Sequence, residues 1–158
     1  MKKQCRSACP IGLALDIFGD RWSLIILRDI LISNKTHYQE LLHSRENIAT
    51  NILAERLARL IEEGILTKTA DPENGKQFIY LPTKKGLDLL PVFCDLIRWG
   101  LDHIPEARKN PFIDRMLANE QQFREEIVRQ FSQIGVRLTK QKIKHVKISN
   151  ASKKCSAL

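Results

Sequence analysis

Residues 47–66 read NIATNILAERLARLIEEGIL. Leu53, Leu57, Leu60 and Ile61 recur at the spacing of one helical face, which predicts that this face packs inward. Asn51, Glu55, Arg59 and Glu62 fall on the opposite side, with Arg56 on a flank. Gly64 suits a left-handed helix stop. Ile65 and Leu66 then restart an apolar run, and β-branched Thr67 and Thr69 continue it as a strand. A short helix with a free, partly basic face therefore runs straight into a strand. The plain alternative is a surface helix whose polar face is only solvated.

Downstream, residues 66–70 read as a strand and residues 71–75, Asp-Pro-Glu-Asn-Gly, are dense in turn signals. The Asn-Gly pair favours a tight hairpin. The return strand spans residues 77–81, with Phe78 and Tyr80 on one face and Ile79 and Leu81 on the other. Lys76 and Gln77 sit near the hairpin tip. Thr83 caps a helix expected to reach about residue 104, with an irregularity at Pro91. Its apolar stripe is Leu87, Leu90, Phe93, Cys94, Ile97 and Leu101.

Upstream, Cys9-Pro10 opens a first helix, since proline suits the first helical position. Ile11, Ala14, Leu15 and Phe18 give it an apolar face, and Gly19 ends it. Asp20 caps a second helix that is apolar most of the way round and so belongs at the centre of the core. Arg21, Arg28 and Asp29 are its polar positions. Residues 33–35 form a turn, residues 36–38 a short strand and residues 39–43 a brief helix. Residues 44–47 are the turn before the helix quoted above.

Helix, short turn, helix and hairpin is the order of a winged helix-turn-helix. The expected fold is mainly α with a small β-wing. A helix in the major groove reads bases with residues near its N-terminus, here Thr50 and Asn51.

The 158 residues carry a net charge of +8, unevenly spread. Residues 137–158 hold seven Lys or Arg and no acid, leaving the rest at +1. Such a tail attracts phosphate backbone or serves as a solubilising end. Residues 1–8 read as a loose arm, 9–104 as the DNA-binding domain, 105–135 as an additional amphipathic helix and 136–158 as the basic tail. Within the third region, residues 112–134 carry a stripe of Ile113, Met116, Leu117, Phe123, Ile127, Phe131 and Ile134, closed by Gly135. That stripe needs cover, from a partner subunit or from the body.

No stretch approaches the ~20 apolar residues of a membrane span, and no apolar leader follows Met1. The expected location is cytoplasmic. Of the four cysteines, Cys5 and Cys9 have zinc-ligand spacing but no second Cys/His pair to complete a site. The four histidines lack metalloprotease or deaminase context, and the glycines form no phosphate-binding pattern. No enzyme, cofactor or metal is expected.

Four motifs carry a family resemblance: CPIGLALDIFGDRWSLIILRDIL (9–31), YQEL (38–41), the stretch at 47–66, and YLPTKKGLDLLPVFCDLIRWG (80–100). In this order the chain resembles HxlR-type winged helix transcriptional regulators, small bacterial DNA-binding proteins. The resemblance implies a homodimer joined by terminal helices, with one recognition helix per half-site of a pseudo-palindromic operator in double-stranded DNA. By motif match Thr50, Asn51 and Arg56 face DNA, and the wing tip falls at Asn74, Lys76 and Gln77. Arg59 is added on helical geometry alone. The resemblance stops near residue 100 and says nothing of the region from 112 onward.

Cys9 precedes Pro10 at a helix N-terminus, where the dipole favours thiolate. Several proteins of the resembled family sense oxidants or electrophiles with a cysteine at the matching position. The alternative is a small buried residue closing the first helix. The expected function is sequence-specific transcriptional regulation, with Cys9 as the candidate sensing thiol. A winged helix module that binds a protein partner is the alternative, and steep salt dependence separates the two.

Overall fold

The computed structural model describes residues 8–135 and 138. Its central helix, α2 (Arg21–Leu31), starts where Asp20 accepts hydrogen bonds from the backbone N–H groups of Trp22 and Ser23, both at 3.1 Å. This cap satisfies donors that the first helical turn leaves without partners. Ile26, Leu27, Ile30 and Leu31 of α2 are buried and join Leu41, Leu53, Leu57 and Leu60 in one core. α1 (Pro10–Phe18) precedes α2, with Gly19 between them. α3 (Tyr38–Leu42) and α4 (Thr50–Glu62) complete the helical unit.

α4 stops in a Schellman arrangement. Gly64 has φ +68°, the Gly64 N–H donates to the Ile61 carbonyl, and the Ile65 N–H donates to the Leu60 carbonyl, each at 2.9 Å. Ile65 and Leu60 are both buried, which supplies the apolar contact that accompanies this stop. The chain enters β1 (Leu66–Ala70), which pairs antiparallel with β2 (Phe78–Pro82), Leu66 opposite Pro82 and Ala70 opposite Phe78. The Thr83 hydroxyl donates to the Gly64 carbonyl at 2.7 Å, and the Thr83 N–H to the Ile65 carbonyl at 2.9 Å. The end of the hairpin is thereby fastened to the end of α4.

The expected helix after Thr83 is two helices, α5 (Lys84–Leu87) and α6 (Leu90–His103). Pro91 opens α6, where its missing N–H costs nothing. The expected helix over 112–134 is likewise two: α7 (Pro111–Ala118), capped by Asn110, and a helix over residues 120–135, here α8. Asn119 leaves helical backbone and its carboxamide oxygen accepts from the Gln122 N–H at 3.0 Å, restarting the helix. Gly135 is the last residue of α8 as described. Met116, Phe123, Ile127 and Phe131 are buried in the common core, so the stripe is covered from within the chain.

Two further expectations are corrected. The strand at 36–38 is a single bridge, His37 with Ile79, because Tyr38 already begins α3. The wing does not turn on a two-residue Asn-Gly loop: seven residues, 71–77, separate β1 from β2, and neither Asn74 nor Gly75 takes the positive φ that such a turn demands. The loop closes instead through Asp71 N–H to the Gln77 carbonyl (2.9 Å) and Gln77 N–H to the Asn74 carbonyl (2.8 Å). Apart from these corrections, α1 has the expected apolar face but buries none of its residues: Ile11 is 71% exposed and Leu15 55%, while Ile17 and Phe18 lean partly on the core.

Candidate nucleic-acid interface

A cleft between α4 and the wing is lined by Ala58, Ile61 and Glu62 of α4 and by Lys68, Lys76 and Gln77 of the hairpin; the N-terminal turn of α4 and the wing are the two features the sequence assigns to DNA. Ile48 is buried and anchors the chain just before α4. Ala49, the N-cap, offers no side-chain acceptor to the first N–H groups. Thr50 and Asn51 follow, both exposed, in a first turn with no acidic residue. The Tyr38 hydroxyl donates to the Thr50 carbonyl at 3.0 Å and fixes this turn against α3.

The two arginines of α4 have partners on their own chain. Arg56 donates through Nε to Asp20 Oδ1 at 2.9 Å and through one terminal nitrogen to Glu55 at 2.6 Å, with 19% of its side chain exposed. Arg59 donates to the backbone carbonyl of Asp16, the last polar residue of α1. Both guanidinium groups are thus drawn toward the α1–α2 corner.

The wing carries the three sequence-predicted tip residues together. Asn74 uses its side-chain oxygen to accept the Lys76 N–H at 3.3 Å, so it shapes the loop. Lys76 and Gln77 are exposed. Two residues that sequence reasoning passed over join them: the Lys68 ammonium lies 4.0 Å from the centre of the Phe78 ring, and Phe78 is 44% exposed. The signal was available, since Lys68 occupies an outward position of β1 in the hairpin register.

His37 ties the wing base to α3. Its Nε2 is 3.2 Å from Asp71 and its Nδ1 3.3 Å from Glu40. Glu40 also accepts the backbone N–H groups of Thr36 and His37, both at 2.9 Å. Burial works against the Glu40 charge, but these hydrogen bonds outweigh it and hold its carboxyl below the usual range. The Glu73 N–H, ahead of His37, does the same for Asp71.

Cys9 is the exposed N-cap residue of α1. The backbone N–H groups of Gly12 and Ile11 favour its thiolate and lower its pKa. Cys94 is the opposite case, buried on α6, where desolvation pushes the thiol up to about 11. Cys5, Cys155 and the basic tail at 136–158, Leu138 apart, lie outside the described residues. Among the described residues no cluster of three His, Cys, Asp or Glu is placed to hold a metal, and no helix is long and apolar enough to cross a membrane.

Helices α2 to α4, the wing and the helix behind it define a winged helix-turn-helix protein. The chain belongs to the family described as HxlR-like helix-turn-helix, which matches residues 17–108. It is 29% identical over 101 residues to the uncharacterized HTH-type transcriptional regulator Rv3095 of Mycobacterium tuberculosis, covering 64% of this chain and 63% of that one. It is 30% identical over 93 residues to the HTH-type transcriptional regulator YodB of Bacillus subtilis, covering 58% and 82%. The solved reduced form of YodB superposes with a TM-score of 0.52 over 65% of this chain and all of that one, at 26% identity. The crystal structure of PA1607 superposes with a TM-score of 0.59 at 34% identity, covering 66% and 73%. The chain thus spans just under two thirds of Rv3095, and α7 and α8 lie beyond the matched region.

Proposed function

We propose that the protein is a sequence-specific transcriptional regulator that binds a pseudo-palindromic site in double-stranded DNA as a homodimer. The observation that carries this reading is the exposed, acid-free first turn of α4 on a helix that shares a cleft with a wing bearing Lys68, Lys76 and Gln77. Thr50 and Asn51 are the base-reading pair, because a groove-bound helix presents its N-terminal residues to base edges. The open N–H groups after Ala49 suit a phosphate oxygen. Lys76, Gln77 and Asn74 place the wing against the backbone. Arg56 and Arg59 set the angle of the helix, reaching DNA only with whatever of their donors the α1–α2 corner leaves free.

Dimerisation is supported by apolar surface that the single chain leaves open. Ile11, Leu13 and Leu15 on α1, with Val92, Leu96 and Trp99 on α6, are all exposed. Two-fold pairing would match two recognition helices to two half-sites. Cys9 stands at the start of α1, so oxidation or alkylation there would act at this seam. That the relative YodB is known in a reduced form supports a redox variable.

The test is selection of bound fragments from random DNA with the full chain, followed by titration of Asn51→Ala and Lys76→Ala. Loss of a base-reading side chain costs ~1–3 kcal/mol at the selected site. Loss of a phosphate contact weakens all sequences alike and lowers the salt slope by about 1. Recovery of no sequence motif, or salt-independent binding, would favour the protein-partner module instead.

A further inference from the structure

A cleft of about 780 Å³ opens between α2, α6 and α7, with no wing residue in its lining. That volume lies in the range of small-molecule sites, roughly 300–1,000 Å³. Its walls are apolar: Ile25 and Ile32 from α2, Phe93 and Ile97 from α6, Phe112 and Ile113 from α7. The α7 wall falls outside the residues that match the family, so the cleft is a feature of this chain's extension.

One rim of the cleft is ionic. Asp29 is 2% exposed and is held by Arg28 at 2.6 Å and by Lys35 at 2.7 Å. Arg28 also bonds Glu46 at 2.7 Å. Arg45 lines the same rim, is exposed, and has no ion-pair or hydrogen-bond partner among the described residues. Three cations therefore face two carboxylates, and both carboxylates are already committed. What the rim lacks is one more anion, and what the walls lack is an apolar body.

We infer that this cleft binds a small organic monoanion with an apolar, ring-sized body, its carboxylate or sulfonate meeting Arg45 and the outer edge of Arg28. A charge-assisted contact to Arg45 gives orientation, and the α2–α6–α7 walls give the buried area. Glu46 stands in the turn that leads to α4, so an anion that competes for Arg28 loosens the turn before the recognition helix. That consequence rests on the DNA-binding reading above; the binding itself does not.

The experiment uses the full chain without DNA, labelled at isoleucine methyls and titrated with 2-naphthoate and with uncharged 2-naphthalenemethanol. Expected are saturable shifts at Ile25, Ile32, Ile97 and Ile113, with the alcohol binding about tenfold or more weakly, as loss of one charged hydrogen bond implies. Arg45→Glu should weaken naphthoate by a similar factor, and Ile113→Trp should block it by filling the cleft. Arg45 is exposed, so its variant folds even if the Ile113 variant does not. Shifts that never saturate or that centre on Ile11 and Ile104, equal affinity for acid and alcohol, or unchanged binding to Arg45→Glu would each overturn the site.

Discussion

Arg56 Nε lies 2.9 Å from Asp20 Oδ1, so a residue of the recognition helix grips the carboxylate that caps the core helix. Asp20 carries several loads at once: two backbone N–H groups, the Ser23 hydroxyl at 2.5 Å and the Arg56 guanidinium. With Arg59 on the Asp16 carbonyl, the α1–α2 corner sets the pitch of α4. Asp20→Ala should cost more than Arg56→Ala, because it removes a helix cap worth about 1 kcal/mol as well as the ion pair. The pair itself is half-buried, and a coupling of about 1 kcal/mol is expected, between exposed and buried extremes. A double-mutant cycle by urea unfolding measures it; additive single effects would mean the contact carries no energy.

The same two residues separate positioning from reading. If Arg56 positions the helix, Arg56→Ala lowers affinity for all DNA sites together and leaves the preferred base unchanged at each position. A base reader would instead relax preference at one position by ~1–3 kcal/mol. Fragment selection with the variant protein distinguishes the two patterns.

Acid should loosen this corner before it unfolds the core. Burial opposes the Asp20 charge, but hydrogen bonds from Ser23 and Arg56 win and place its pKa below the ordinary aspartate value of about 3.9. Glu40, held by the backbone N–H groups of His37 and Thr36, is shifted in the same direction. A carboxylate that binds fewer protons folded than unfolded stabilises the fold above its unfolded pKa and ceases to do so as pH falls through the folded one. Thermal stability should therefore be flat in this respect from pH 7 to about 5 and fall below about 4. Arg56→Ala should shrink the acid slope; an unchanged slope would take Asp20 out of the linkage.

The elements around α4 were legible in the sequence because their ends are marked by local chemistry. Pro10, Asp20, Gly64 and Thr83 each act within a few residues of themselves, and each bounds an element as expected. The destinations of Arg56 and Arg59 were not legible. Their partners lie 36 and 43 residues away, and a helical wheel carries no information about what stands opposite its flank. The surroundings of Asp29 were not legible either: the sequence marks it as a polar position of α2, and only the fold shows Arg28 and Lys35 closing over it. The wing loop failed differently, since Asn-Gly chemistry favours a two-residue turn only when the strands end beside it.

Dimer formation should depend on surface that adds nothing to the folded monomer. Trp99 is 59% exposed and Ile11 still more so. Ile11→Glu and Trp99→Asp should change monomer stability by no more than about 0.5 kcal/mol and yet shift sedimentation from dimer to monomer at micromolar concentration. By contrast, truncation after Pro111 removes Met116, Phe123, Ile127 and Phe131 from the core and should destabilise the chain itself. Retained dimers in both point variants would place the interface elsewhere.

Cys9 and Cys94 should behave as chemical opposites. Cys9 is exposed at the start of α1, and the Gly12 and Ile11 N–H groups lower its pKa. Cys94 is buried and pushed up to about 11 by desolvation, so it holds almost no thiolate at neutral pH. Thiolate is the species that attacks iodoacetamide and is oxidised by diamide. Peptide mapping of the native chain after brief iodoacetamide treatment should find Cys9 labelled, with a rate that rises at lower pH than an ordinary thiol of pKa about 8.5. Cys94 should stay unmodified until the protein is unfolded. If Cys9 is the sensing thiol, diamide or a quinone should change DNA binding of the native chain and leave Cys9→Ser unaffected. Labelling of Cys9 with no change in DNA binding would make it a reactive bystander. Equal responses of the two proteins would move the sensing chemistry to another group.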